Sequence, residues 1–272
     1  MDEGLAAGLP LFERACYEAL VAAAAPASNG EGAQEGTLAV VAAAPEDVLP
    51  AVASLAYKKA FGLYSGLFAG LETQLMKDRA KEEVQSNYAA VSGPSLTYGE
   101  IDFHSFADIL ERLEMREGDT LVDLGSGTGR ALVTAALLFG PSLARVHGIE
   151  LLASLHSPCE QVLVKLRALL EAEPAFFAEH LRCKVTSERG DITDTDATAM
   201  DWTVADVVFI NSTLFDAKLM TTLCAMASAR MRSGTRVITL TRPWLSPQWQ
   251  VSEPRQYRMS WGVASAFVHV KL

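Results

Sequence analysis

The stretch from Thr120 to Arg130 constrains the fold of this chain more than any other. It has the sequence Thr-Leu-Val-Asp-Leu-Gly-Ser-Gly-Thr-Gly-Arg, and an Ala- and Leu-rich helical pattern follows it to Phe139. Glycines let the backbone approach a ligand closely, and the first turn of a helix carries N–H groups that have no partner within the helix. The stretch therefore predicts a strand, a tight turn and a helix that form a nucleotide-type pocket.

Strand and helix patterns alternate around this motif. The predicted strands are Leu121–Leu124, Val146–Glu150, Lys184–Glu188, Ala205–Ile210 and Arg236–Thr241. The predicted helices cover residues 130–139, 152–180 (with a break at Pro158 or Pro174) and 215–232. The last segments, Gln256–Trp261 and Ser265–Lys271, alternate and turn at Gly262, which indicates an antiparallel hairpin. The pattern predicts an α/β fold with a doubly wound, mostly parallel, seven-stranded Rossmann-like sheet and an antiparallel C-terminal hairpin.

Residues 1–90 are predicted to form a helical N-terminal extension to a main domain at residues 91–272. Residues 1–27 are Ala-rich and expected to be helical, and the Gly-rich stretch at 29–36 predicts a linker. A second helix is expected to begin at Pro45, and a third follows the apolar stripe from Leu63 to Met76 toward Tyr88. Asp102 is the expected N-cap of the helix that precedes the Gly-rich motif.

The charge of the chain limits its partners. Half of the 272 residues are hydrophobic, the formal net charge is -10 and the sequence pI is about 5.0, so strong nucleic-acid binding by the chain itself is not expected. From residue 226 onward, seven Lys and Arg stand against one acid, a local charge of +6. Such a basic edge suits an acidic partner surface, but solvated arginines at the ends of helices and strands explain it more simply.

The cysteines and the N-terminus predict an intracellular protein, cytoplasmic or nuclear. The cysteines are scattered, form no Cys-x-x-Cys pair and predict reduced thiols without a metal site: Cys16, Cys159, Cys183 and Cys224. The initial Met-Asp-Glu lacks the basic region of a signal peptide. The most apolar candidate span, Leu49–Leu71, contains Lys58 and Lys59, so no membrane span or membrane association is expected.

Two ligand classes use a Gly-rich strand-turn-helix of this kind. The glycines at 125, 127 and 129 have the spacing Gly-x-Gly-x-Gly, whereas dinucleotide folds show Gly-x-Gly-x-x-Gly. The next acid at a strand end is Glu150, 27 residues after Asp123, and its carboxylate suits the two hydroxyls of a ribose. Taken alone, the motif is compatible with NAD and with S-adenosylmethionine (SAM).

Two further strand ends favour SAM. Asp191 follows the third predicted strand and Asn211 follows the fourth, and in an open α/β sheet ligands bind beyond the carboxyl ends of the strands. Together with Asp123 and Glu150, these side chains supply polar groups for the amino, ribose and adenine groups of SAM and for the methyl acceptor. The series resembles class I SAM-dependent methyltransferases. Ordinary capping and turn roles are the alternative for each residue taken singly.

A longer series of motifs resembles one methyltransferase family. Tyr98-Gly-Glu-Ile101 precedes the Gly-rich motif, and the Glu150 strand, Glu188-Arg-Gly-Asp191, the pair Asn211 and Phe215, and residues 231–244 follow in order. The series, over about residues 90 to 245, resembles the disruptor-of-telomeric-silencing family of non-SET histone-lysine methyltransferases. The resemblance implies that residues 91–272 form a SAM-dependent methyltransferase domain, and that the protein is a transferase and a chromatin regulator.

The resemblance also implies roles for individual residues. The implied cofactor-binding residues are Thr97, Tyr98, Glu100, Asp123, Gly125, Ser126, Gly127, Glu150, Asp191, Ile192 and Asn211. The implied catalytic residues, which border the channel of the target lysine, are Asn211, Tyr98 and Phe215. Apart from the resemblance, five acids cluster in the sequence around the expected rim of the pocket, where they would favour a cationic substrate: Asp191, Asp194, Asp196, Asp201 and Asp216. Turn and cap roles in loops are an equally good explanation of these acids.

This chain departs from the family pattern at two points. Ser212 and Thr213 replace an Asn and a Phe, which predicts a more polar acceptor channel, and no Lys-rich segment for nucleosomal DNA is present. The expected function is protein-lysine N-methylation, with a histone as the candidate protein substrate. Two alternatives remain open from the sequence: methylation of a small amine or hydroxyl compound, and a SAM-binding module without catalysis.

Overall fold

The computed structural model describes residues 45–87, 98–113, 115–177 and 180–272. The predictions for residues 1–27, 29–36 and Thr97 lie outside these ranges. The α-helices are α1 Pro45–Leu67, α2 Thr73–Asn87, α3 Phe103–Glu111, α4 Arg130–Phe139, α5 Ala153–Ala172, α6 Pro174–Phe177 and α7 Ala217–Arg230. The strands are β1 Asp119–Leu124, β2 Leu143–Glu150, β3 Lys184–Arg189, β4 Val207–Ile210, β5 Arg236–Leu240, β6 Trp249–Val251, β7 Arg255–Met259 and β8 Gly262–Lys271.

These strands form one mixed sheet. Its order is β3-β2-β1-β4-β5-β8-β6, and β7 also pairs with β8. Strands β1 to β5 are parallel, and β8 returns antiparallel to β5. The predicted doubly wound sheet with an antiparallel C-terminal hairpin is confirmed, because strand order reverses around β1 and β4 while helices alternate with the strands.

The predicted number of seven strands is wrong, because the described residues contain eight. The additional strand is β6, which is three residues long and pairs with the C-terminal end of β8, next to the part that pairs with β7. A segment of three residues is too short to show the alternation of polar and apolar residues by which strands are recognised. The hairpin turn also differs, since Ser260 and Trp261 form it and Gly262 begins β8.

The N-terminal helices pack on the helices of the sheet. The apolar stripe expected to form one third helix is divided, because α1 ends at Leu67 and Gly70 has a φ of 83° before α2 begins. Tyr64 and Phe68 share a buried cluster with Phe103 and with side chains of α4 and α5. The division at residue 90 into extension and main domain stays a prediction. In the described part of the chain, no helix combines the length and apolar character of a membrane span.

Local capping sets other helix boundaries as expected. The Asp102 side chain accepts hydrogen bonds from the backbone N–H groups of His104 and Ser105, so it is the N-cap of α3. Helix α5 continues through Pro158 and ends before Pro174, which confirms the second of the two expected breaks.

One strand end differs from the expectation. Thr241, predicted to be the last residue of its strand, instead lies just beyond β5, with a φ of 69°.

Candidate active site

In the Gly-rich turn, the backbone lies close to the ring of Tyr98. Gly125, Gly127 and Gly129 all have positive φ angles, of 82°, 54° and 86°. A Cβ atom on Gly127 would lie 2.5 Å from Cε2 of Tyr98, so the tyrosine ring packs directly on this glycine. Gly127 is therefore required both by its left-handed backbone and by the contact with Tyr98.

A cavity of about 480 Å³ lies beyond the carboxyl ends of the parallel strands. The predicted site residues that line it are Tyr98, Gly125, Glu150, Asp191, Ile192, Asn211 and Phe215. A smaller recess of about 20 Å³ is lined by Glu100, Asp123 and Ser126, and it shares Tyr98 and Asn211 with the cavity. The fold thus brings together residues that are as far apart in sequence as Tyr98 and Phe215. Gly127 lies beneath Tyr98 and is not among the lining residues.

Glu150 joins the Gly-rich turn to helix α5. Its Oε2 accepts a hydrogen bond of 2.8 Å from the Gly127 N–H, and its Oε1 accepts one of 2.8 Å from the Leu152 N–H. Burial raises the pKa of this carboxyl group above its ordinary value. A carboxylate has about four acceptor sites, so two backbone bonds leave room for the hydroxyls of a ligand.

Asp123 carries an acceptor without a partner. Its side chain is 2% exposed, and its Oδ1 has no hydrogen bond in the structure. Burial raises the pKa of Asp123 well above its ordinary value, and the nearby Glu150 adds to the shift. Since a buried polar atom without a partner is costly, this recess is suited to a ligand group that donates hydrogen bonds or carries positive charge.

Tyr98 is fixed by its hydroxyl. The hydroxyl donates a hydrogen bond of 2.8 Å to Oε1 of Glu100 and lies 2.8 Å from Oγ1 of Thr128. Burial, followed by the charge of Glu100, raises the pKa of Tyr98 well above its ordinary value. The phenol is therefore neutral near pH 7 and acts as a wall and a hydrogen-bond donor, not as a base.

Asn211 connects the end of β4 to the segment that contains Tyr98. Its Nδ2 donates a hydrogen bond of 2.8 Å to the carbonyl oxygen of Gly99, and this bond assigns the orientation of the amide. The side-chain oxygen Oδ1 is then the group that can accept a hydrogen bond from a ligand. Phe215 lies beside it, and a Cβ on Gly125 would be 3.5 Å from the Phe215 ring.

The two residues that depart from the family pattern, Ser212 and Thr213, differ in their position relative to the cavity. The Ser212 hydroxyl donates to the carbonyl oxygen of Leu240 at 2.7 Å and accepts from the Leu240 N–H at 2.9 Å, and the residue is fully buried. Ser212 is therefore a bridge between β4 and β5 and does not line the cavity. Thr213 lines the cavity, so the predicted increase in polarity applies at this position and not at Ser212.

Of the five acids predicted around the rim, two line the cavity and three do not. Asp191 and Asp216 line the cavity. Asp194 accepts a hydrogen bond from the Ala197 N–H, and Asp201 forms an ion pair of 2.7 Å with Arg230. Turn and ion-pair roles therefore account for these two, while Asp196 is exposed and does not line the cavity.

Trp261 is a lining residue that sequence reasoning missed. It lies in the turn between β7 and β8, and a Cβ atom on Gly99 would be 2.7 Å from its Cζ3 atom. Its ring therefore covers Gly99 at the edge of the cavity. The available signal was an aromatic residue directly before a glycine in a predicted hairpin turn. Lys218, in the first turn of α7, also lines the cavity.

The basic C-terminal segment is partly neutralised within the fold. Arg230 pairs with Asp201, Arg232 with Asp206, and the buried Arg236 with the buried Asp119. Arg230 and Arg232 are exposed, as the simpler interpretation expects, whereas Arg236 is buried and paired inside the fold.

A doubly wound sheet with a Gly-rich turn after β1 and acidic groups at the next strand ends defines a class I, Rossmann-like methyltransferase fold. The family model described as "Histone methylation protein DOT1" matches residues 79–258. The chain therefore belongs to this family.

Individual relatives match stretches of similar length. A protein of Cryptococcus neoformans named "Histone-lysine N-methyltransferase, H3 lysine-79 specific" is 26% identical over 190 residues, which is 70% of this chain and 28% of the relative. A protein of Gibberella zeae with the same name is 30% identical over 165 residues, 59% of this chain and 30% of its own length. The chain thus spans less than a third of these relatives. The solved structure of TrmN from Thermus thermophilus is 24% identical, with 70% of this chain and 53% of that chain covered and a TM-score of 0.44.

Proposed function

We propose that this chain is a SAM-dependent protein-lysine N-methyltransferase that acts on histone H3 and is therefore located in the nucleus. The observation that carries the proposal is the match of the DOT1 family model to residues 79–258, which include both the strand-end acids and the Tyr98 and Asn211 side of the cavity. The relatives named above are described as specific for lysine 79 of histone H3, so this lysine is the first candidate acceptor.

The cavity suits SAM on three grounds. The unpartnered Oδ1 of Asp123 is available to the amino group, and the free acceptor sites of Glu150 are available to the ribose hydroxyls. Asp191 and Ile192 line the part of the cavity that we assign to adenine. We assign Thr97, Tyr98, Glu100, Gly125, Ser126 and Gly127 to the methionine end. When bound, SAM supplies a methyl group that its positive sulfur activates for transfer to an amine.

The protein contributes desolvation and positioning of the acceptor. A lysine amine has an ordinary pKa of about 10.4 and must lose its proton before it accepts a methyl group. The rings of Tyr98 and Phe215 border the entry next to Asn211 and disfavour the charged ammonium by excluding water. The Oδ1 of Asn211 accepts a hydrogen bond from the neutral amine and directs its lone pair, and the lost proton leaves to solvent. Correct positioning alone contributes about 7–11 kcal/mol to catalysis in favourable cases.

The entrance of the cavity fits a protein side chain. Asp191, Asp216 and Lys218 are exposed where they line the cavity, so the cavity opens to solvent and can admit a lysine side chain. The net charge of -10 disfavours DNA binding by this chain. Contact with nucleosomal DNA would then need a basic partner or a segment outside this sequence.

Labelled SAM tests the proposal directly. The protein is incubated with core histones, nucleosomes and whole lysate side by side, and the labelled band is analysed by mass spectrometry. We expect methyl-lysine on histone H3, and the nucleosome sample tests whether assembled chromatin is required. With Asn211→Ala we expect labelling to be about 10- to 100-fold slower. A labelled small molecule and unlabelled histones would contradict the protein substrate. Failure of S-adenosylhomocysteine (SAH) to bind in calorimetric titration would contradict the cofactor.

A further inference from the structure

Arg130 is a partly buried cation in an electrostatically unfavourable position. It is the first residue of α4, directly after Gly129, and its side chain is 15% exposed. The first turn of a helix disfavours positive charge, because the backbone N–H groups point out of it. A guanidinium group at this position must therefore be stabilised by other contacts, and these contacts lead to two separate parts of the molecule.

One set of contacts leads to the N-terminal helices. Arg130 donates a hydrogen bond of 3.2 Å to the Tyr64 hydroxyl of α1 and one of 3.1 Å to the carbonyl oxygen of Leu71, between α1 and α2. Its guanidinium carbon lies 4.4 Å from the centre of the Phe68 ring, a cation–π contact. The planar fork of Arg130 thus spans the end of α1 and the connection to α2.

The other contact leads to the cavity through Glu100. The Nε atom of Arg130 forms an ion pair of 2.9 Å with Oε1 of Glu100. The same oxygen accepts the hydroxyl of Tyr98, and Oε2 accepts the hydroxyl of Thr73 at the start of α2. The 6% exposed Glu100 is therefore a node at which Arg130, the helix α2 and the wall residue Tyr98 meet.

We propose that Arg130 is a positioning residue of the cofactor site. By holding the Glu100 carboxylate, it fixes the Tyr98 ring over Gly127 and against the cavity, and it makes helices α1 and α2 part of the site's support. This inference rests on the proposed function for its link to SAM, but the positioning of residues 98–101 can be tested without any ligand.

The matched variants are Arg130→Lys and Arg167→Lys. Lysine keeps the charge but is a single flexible point charge, so it cannot contact Tyr64, Leu71 and Glu100 together. Arg167 forms an exposed i,i+4 ion pair with Glu171 on α5 and serves as the control for the substitution itself. Tyr64→Phe removes one partner of Arg130 without a charge change, and it remains informative if Arg130→Lys is poorly folded.

Hydrogen exchange of the ligand-free protein is the first measurement. We expect Arg130→Lys to speed amide exchange at residues 98–101 by roughly tenfold or more relative to strand β1, with a smaller change of the same kind in Tyr64→Phe and none in Arg167→Lys. A uniform change across the domain, or no change at residues 98–101, would overturn the positioning role.

A double-mutant cycle on SAH affinity is the second measurement. We expect Arg130→Lys to weaken binding roughly tenfold in the wild-type background. In the Tyr98→Phe background, where the hydroxyl that Glu100 holds is absent, it should weaken binding by no more than about twofold. Equal losses in both backgrounds would show that Arg130 does not act through Tyr98. If the wild-type protein does not bind SAH, the proposed function fails, and hydrogen exchange still decides whether Arg130 positions the loop.

Discussion

The cavity has two sides that are built in different ways. We call Gly125, Glu150 and Asp191, at the strand ends, the strand-end wall, and we call residues 98–101 with Trp261 the cover. Asn211, at the end of β4, joins the two through its bond to Gly99. The wall is fixed by the main-chain pairing of β1 to β4. The cover is fixed by side chains, namely the Asn211 bond to Gly99, the contacts of Glu100 and the packing of Trp261.

This difference separates two roles. Because the parallel sheet fixes the wall before any ligand arrives, wall residues should determine whether the cofactor binds. Because the cover depends on a few side-chain contacts between distant segments, its residues can change with little effect on the sheet. We expect them to determine mainly how well the bound groups are aligned and how fast they react, with a smaller effect on cofactor affinity than the wall residues have. Substitutions in the wall, in the cover and in their support test this separation, here in order of decreasing effect.

The largest effect is expected at the wall. Glu150→Ala removes the acceptor of two backbone N–H groups and the carboxylate assigned to the ribose. Since hydrogen bonds to a charged group contribute about 1.5–3 kcal/mol each, SAH affinity should fall by about 100-fold or more. Calorimetric titration measures this, with Glu160→Ala on the exposed face of α5 as the control. Binding within about threefold of wild type would remove Glu150 from the cofactor site.

The second prediction compares adjacent residues at the end of β4. Asn211→Ala removes the bond between wall and cover and the acceptor proposed for the amine, so kcat should fall about 10- to 100-fold while SAH affinity changes little. Ser212→Ala removes a buried bridge to Leu240 and should instead lower the free energy of unfolding by about 1–3 kcal/mol. Methyl-transfer kinetics and urea unfolding distinguish them. If both variants affect the same quantity, the distinction between cavity and support at this position is wrong.

The third prediction concerns packing in the cover. The Cβ atom of Gly99→Ala would meet the Trp261 ring at 2.7 Å, so the ring must move, and kcat should fall about tenfold. The double variant Gly99→Ala with Trp261→Ala relieves the clash and should recover part of the lost rate. Gly66→Ala, where a Cβ atom would meet nothing within 4 Å, is the matched control. An unchanged rate in Gly99→Ala would show that Trp261 does not order the cover.

The smallest effect concerns the support of the wall and depends on pH. Glu83 of α2 accepts hydrogen bonds from the N–H groups of Ala153 and Ser154, and so caps α5 in place of Leu152, which has no capping side chain. Partial burial acts to raise the pKa of Glu83, but the hydrogen bonds of Ser154 and Ala153 outweigh it and hold the pKa below its ordinary value.

A lowered pKa in the folded state means that this stabilisation is present above the ordinary carboxyl pKa and is lost as the pH falls through the folded value. Glu83→Gln should therefore lower the free energy of unfolding by about 1 kcal/mol at pH 7. The difference from wild type should shrink as the pH falls below about 4. Urea unfolding at both pH values measures it, with the exposed neighbour Glu82→Gln as the control. A difference that persists in acid would mean that the charge of Glu83 is not what caps α5.

The residues that the sequence could place follow the same division between wall and cover. Gly125, Glu150, Asp191 and Asn211 could be placed because each lies at the carboxyl end of a predicted strand, and parallel strands bring these ends to one edge. Trp261 and Arg130 could not be placed, because their roles depend on contacts with residues far away in the chain. Ser212 was misplaced for the related reason that its direction relative to the sheet is set by the short helical turn at residues 212–214.

The sequence by itself determined the doubly wound fold, the ligand edge of the sheet and the family. These follow from local periodicity, from glycine conformation and from the order of motifs. The tertiary structure alone decided which polar groups face the cavity, how Asn211 is oriented and how the N-terminal helices support Tyr98 through Arg130 and Glu100. The physical reason is that a hydrogen bond or a ring contact depends on distances of a few ångströms between segments, and residue order along the chain does not specify these distances.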